Sequence, residues 1–131
     1  IAKADLDCHA YPDGPSIRID GDTLREPDAS AQCGQSVDED SIFLDTPIVV
    51  VEVISPSSTR RDTISKVDDY FRVESIMHYL ILDPKSRSVV WHARSADAGK
   101  IATTVVKNGD ITLAPPSLTS SVEALFDGVS S

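Results

Sequence analysis

A chain of 131 residues is the size of one ordinary domain and can bury a single hydrophobic core. It is 40% hydrophobic, 5% aromatic and 25% charged, which excludes a globally disordered protein and leaves Val, Ile, Leu and Ala to build the core. The 21 acidic residues outnumber the 12 basic ones, and the net charge of -9 runs against a broad basic surface for phosphate backbones.

Residues 1–15 carry the turn-rich run Tyr11-Pro12-Asp13-Gly14-Pro15 without periodicity and are read as irregular. The chain starts at Ile1 and its one methionine is Met77, so a further N-terminal segment is expected upstream. The start lacks the basic and apolar regions of a signal peptide, and no apolar run approaches the roughly 20 residues that span a bilayer. A cytoplasmic protein with no membrane association is therefore expected. Cys8 and Cys33 are too few for a disulfide framework or a zinc cluster; free thiols are the expectation, with one disulfide as the alternative. His9, His78 and His92 match no metal-ligand spacing.

Residues 16–20 alternate apolar and polar as a half-buried strand does, and Gly21-Asp22 closes that strand. Pro27-Asp28 leads into small residues at 29–33 that suit a second strand, and 34–45 read as an acidic, solvated loop. The strongest strand signal is residues 48–54, a β-branched run expected to be central and covered on both faces. Pro56 ends it. Residues 59–74 have helical character, with Thr59 and Asp62 as a capping pair and Ile64, Val67, Tyr70 and Phe71 as the apolar positions. Residues 78–82 are the expected parallel partner strand, 83–87 a turn, and 88–92 a return strand. Strands at 100–106 and 110–113 follow, joined by a hairpin at Asn108-Gly109, and residues 121–126 form a last short helix.

Glu52 is out of place inside an apolar strand, because burying a carboxylate costs several kcal/mol unless something pairs with it. Two readings stand: a solvated or ion-paired carboxylate near a strand end, or a site residue. Asp28 alone reads as a turn residue; at the end of a strand adjacent to Glu52 it could share a hard cation. Asp62, Lys66 and Tyr70 recur at i, i+4 and share one helix face, as an ordinary intrahelical pair or as a face turned toward Glu52. Arg60, Arg61, Lys66 and Arg72 are the one dense basic patch, beginning at a helix N-terminus, where either a phosphate backbone or solvent suits them.

Taken in order, Pro27-Asp28, the segment TPIVVVEVISPS at 46–57, Asp62 to Tyr70 with Lys66 inside, and HYLILDPKSRSVVWH at 78–92 resemble the Uma-two family of the PD-(D/E)XK nuclease superfamily. The similarity runs from about Ile17 to Phe126. It implies one restriction-endonuclease-like α/β domain over 1–131: a mixed central sheet with a crossover helix and a C-terminal β-meander. It further implies that Asp28, Glu52 and the Val53 carbonyl hold Mg²⁺ or Mn²⁺, with Lys66 orienting the attacking water or stabilising charge. The superfamily pattern asks for lysine at position 54; this chain has Ile54, and Lys66 on the helix is the counterpart. Asp62 would hold Lys66, Tyr70 would help close the site, and Arg60, Arg61 and Arg72 would meet DNA. The family's acidic residue from an N-terminal helix has no counterpart in these 131 residues. A divalent-metal-dependent DNA endonuclease or nickase, working as a homodimer, is the function so implied. A non-catalytic binding or regulatory module of the same fold, and a metal-dependent hydrolase of another substrate, are the alternatives.

Overall fold

The computed structural model describes residues 8–12, 15–33, 43–44, 46–55, 60–97, 99–114 and 118–127, with the main chain alone at 43 and 60–62. In chain order the elements are β1 (Cys8–Pro12), β2 (Ser16–Arg18), β3 (Leu24–Arg25), β4 (Ala29–Cys33), β5 (Phe43–Leu44), β6 (Val49–Val53), α1 (Arg60–Phe71), β7 (His78–Asp83), β8 (Ser88–Arg94), β9 (Ile101–Val106), β10 (Asp110–Leu113), β11 (Leu118–Ser121) and α2 (Val122–Asp127). Six strands form a mixed sheet in the order β1-β4-β6-β7-β8-β9. Only β6 and β7 are parallel within it, and α1 lies in the connection between them.

The β-branched run of β6 lies in the middle of this sheet, with Val49 and Val50 fully buried, because both of its faces are covered. Alternation along the strands sorts side chains into two cores. Val49, Val51, Leu80, Leu82 and Val89 pack against Ile111, Leu113, Leu118, Val122, Leu125 and Phe126 from the C-terminal elements. Val50, Tyr79 and Ile81 point the other way and meet Tyr70 and Phe71 of α1 with Ile17 and Leu44. Glu52, two residues on from Val50, shares that second face.

The C-terminal end of α1 is fixed from β8. Arg94 donates through Nε to the Ile76 carbonyl at 3.0 Å, and through Nη2 to the carbonyls of Phe71 and Val73 at 3.0 and 3.1 Å. These bonds satisfy carbonyls that a helix end leaves open, and they set how far α1 reaches along the sheet.

Several expectations are corrected. Residues 8–12, read as irregular, form edge strand β1, paired antiparallel with β4 so that Cys8 faces Cys33. The two cysteines form a disulfide, so the expectation of free thiols is replaced. Within the stretch read as a solvated loop, residues 43–44 form a short strand parallel to β2, and Leu44 is buried; residues 34–42 and 45 lie outside the described ones. The hairpin at Asn108-Gly109 does not form. A type I′ turn needs positive φ at both positions, and only Gly109 has it, at 84°. β10 instead leaves the main sheet to pair with β11, because Ile111 and Leu113 are needed over the β6–β8 face. Ile64, expected on the buried side of α1, is 61% exposed. Among the described residues, no helix is long and apolar enough to cross a membrane.

Candidate active site

Glu52 is the fourth residue of β6 and is 8% exposed. One carboxylate oxygen, Oε1, accepts a hydrogen bond from the Tyr70 hydroxyl at 2.7 Å; the other, Oε2, pairs with Lys66 Nζ at 3.3 Å. Lys66 and Tyr70 are four residues apart on α1 and therefore reach the strand from one face. Burial, then the Glu52 charge, pushes the Tyr70 phenol far up, so it stays protonated and acts as a donor. A shallow cleft opens here, lined by Glu52, Val53, Thr63, Lys66, Tyr79 and Ile81.

Asp28 immediately precedes β4, which pairs antiparallel with β6 in the register Ala29 to Val51. The next step of that register brings Asp28 to the end of β6 where Glu52 stands. Asp28 Oδ2 accepts the Val53 N–H at 2.7 Å, and among the described residues nothing hydrogen-bonds its Oδ1. Val53 thus meets Asp28 through its N–H. Arg60, Arg61 and Asp62 form the first turn of α1, with side chains outside the described set. Arg72 follows the other end of the helix, roughly 18 Å along its axis from Arg60 at 1.5 Å per residue. It is held by Asp69, by Asp20 at 3.2 Å and by Asp68 at 3.9 Å.

Two residues that support the site went unnoticed in the sequence. Arg25 of β3 donates through Nε and Nη2 to Asp69 Oδ2 at 3.0 and 2.5 Å, tying the small β3-β2-β5 sheet to α1 one residue from Tyr70. Arg72 holds the other oxygen of Asp69. Burial raises the Asp69 carboxyl, but hydrogen bonds from Arg25 and Arg72 outweigh it and hold Asp69 below the usual carboxylate range. Asp69 falls three residues after Lys66 on the same helix face, which was a usable signal; a two-residue strand at Arg25 offered none.

A folded-state value below the unfolded one stabilises the protein above the ordinary carboxylate pKa near 4, and that stabilisation is lost as pH falls through the lowered value. Asp69→Asn should cost about 2 kcal/mol at pH 7, because two guanidinium groups lose their charged acceptor. Urea unfolding at pH 7 and pH 3 checks this, and the gap to wild type should shrink at the lower pH.

As ligands, the groups gathered at the end of β6 are oxygen donors only. Among the described residues no group of three or more His, Cys, Asp or Glu is placed to hold a metal ion. Two carboxylates with no third partner fit a hard dication that keeps most of its water, as Mg²⁺ does.

The sequence model of a family described as "Uma2: Putative restriction endonuclease" matches residues 2–126. A solved crystal structure described as a "putative nuclease belonging to DUF820", from Anabaena variabilis, is 17% identical with a TM-score of 0.63, covering 92% of this chain and 68% of that one. At that identity the likeness is one of fold: a large mixed sheet with few helices. No protein of curated function matches the chain.

Proposed function

Because the chain belongs to the Uma2 family of "putative restriction endonucleases", we propose that it hydrolyses phosphodiester bonds in DNA with a divalent metal, using Asp28 and Glu52 as the metal carboxylates and Lys66 as the cation at the reacting phosphate. One observation carries this reading: the central strand holds a buried carboxylate that closes onto a lysine and a tyrosine at the wall of a cleft. Stability alone is served as well or better by an apolar residue at such a position.

When bound, Mg²⁺ or Mn²⁺ supplies a water of lowered pKa and polarises the phosphoryl oxygen. Among the described residues Asp28 has one oxygen left for a cation, and each Glu52 oxygen keeps a lone pair beside its present partner. Lys66, with a side chain 34% exposed, can turn from Glu52 to the charge that develops on the phosphate. Tyr70 fixes the Glu52 carboxylate in orientation. Asp62, one turn before Lys66, would steady that lysine, and Arg60 and Arg61 at the N-terminus of α1 would receive the DNA backbone. Arg72, engaged by three carboxylates, has no part in that surface. A single chain offers one site and so nicks one strand; a double-strand cut requires two copies.

A second reading is a non-catalytic module. Lys66 and Tyr70 already occupy both Glu52 oxygens, Val53 occupies one of Asp28, and the chain is acidic. Incubating supercoiled plasmid with the protein in Mg²⁺, Mn²⁺ or EDTA, beside calorimetry with each metal, separates the two. Open-circular product only with metal, together with metal binding, supports the endonuclease. Neither cleavage nor binding at millimolar metal puts the module first.

A further inference from the structure

Tyr79 has no role in the arrangement described so far. It lies on β7 opposite Val50 of β6, on the face that also carries Glu52, and is 1% exposed. Its ring packs 5.0 Å from that of Tyr70 and stacks 5.9 Å from that of His92. Among the described residues none hydrogen-bonds its hydroxyl. Among the described residues the one side-chain polar atom fully enclosed without a partner is Ser30 Oγ, so the Tyr79 hydroxyl is not sealed off; phenylalanine would fill the same volume. Yet Tyr79 is a wall of the cleft it shares with Glu52, Thr63 and Lys66.

Burial and then the Glu52 charge push the Tyr79 phenol far up, so it keeps its proton. It can therefore donate a hydrogen bond and cannot serve as a base. A ligand that suits the cleft must accept from a neutral hydroxyl and from Lys66 together while tolerating a neighbouring carboxylate. A non-bridging phosphoryl oxygen does this, and a neutral donor binds it without adding charge.

We propose that Tyr79 is a further substrate-contacting residue, its hydroxyl donating to a non-bridging oxygen of the phosphodiester held in the cleft. The inference rests on the endonuclease reading.

The test is Tyr79→Phe in the full chain, which keeps the ring and removes the donor. Steady-state cleavage of a labelled DNA duplex in Mg²⁺ and a urea unfolding curve are measured for wild type, Tyr79→Phe and Glu52→Gln. The expected result is a loss of about 100-fold in kcat with KM little changed, since the bond strengthens as charge develops on the oxygen, and an unfolding midpoint equal to or above wild type. Wild-type cleavage by Tyr79→Phe with Glu52→Gln inactive would overturn the role of Tyr79 and leave the endonuclease reading standing. Loss of cleavage with a lowered midpoint would overturn it too, because the hydroxyl would then be holding the fold. A wild-type protein that does not cleave would bring down the endonuclease reading and this inference together.

Discussion

Glu52→Gln is expected to reduce DNA cleavage by at least about 10³-fold, equivalent to roughly 4 kcal/mol of transition-state stabilisation, while the protein stays folded. The amide keeps the shape of the carboxyl group. Its oxygen can still accept from the Tyr70 hydroxyl, and Lys66 is exposed enough to be hydrated once its partner is neutral. A stability change within about 1 kcal/mol follows. Glu52→Ala should behave differently, because it strands the buried Tyr70 hydroxyl and opens a cavity, at a cost of about 3 kcal/mol. Cleavage assays and urea unfolding on both variants test the argument. Full activity in Glu52→Gln would make the carboxylate a structural group only.

Reduction of the Cys8–Cys33 disulfide is expected to lower stability by about 3 kcal/mol. The bond closes a loop with a sequence separation of 25 residues, and the entropy of closing such a loop in the unfolded chain gives that magnitude. The native cost falls on β1, an edge strand whose partner in the main sheet is β4. Without the bond, β1 is held by its ladder to β4 and by side-chain packing such as that of Tyr11 against the α1-side core, and the edge of β4 beside Asp28 becomes easier to uncover. Urea unfolding with and without a phosphine reductant, and of the Cys8→Ala, Cys33→Ala double variant, should show the same shift. Coincident curves would mean that the ladder and the side-chain packing suffice without the bond.

The parts of this fold visible in the sequence are those with local causes. The β-branched run around Val50, the helical spacing through Val67, Tyr70 and Phe71, and the apolar residues after His78 each carry their own periodicity, and each became the expected element. What was hidden depends on partners distant in sequence. Cys8–Pro12 is a strand because β4 offers an edge, not because its residues alternate. Phe43–Leu44 and Leu24–Arg25 are two-residue strands that take their shape from β2. Asn108-Gly109 is a hairpin signature overridden by the need to place Ile111 and Leu113 over the core formed with Val49, Leu80 and Val89.

The site divides the same way. Glu52 stood out because a charge in an apolar strand is locally anomalous, and Lys66 and Tyr70 followed from helical spacing. Tyr79 and Arg25 were silent. A tyrosine in an apolar strand and an arginine near a turn are both ordinary until the register of β6 with β7, and the docking of β3 on α1, give them neighbours.

Glu52, Lys66, Tyr70 and Tyr79 all belong to one uninterrupted stretch, residues 49–83, folded as strand, helix and parallel strand. Their mutual geometry is therefore inherited as a block. Changes of length elsewhere, as between β8 and β9 or before β10, leave the spacing of these four side chains untouched. A lineage can rebuild its periphery while transmitting the arrangement of these four side chains intact.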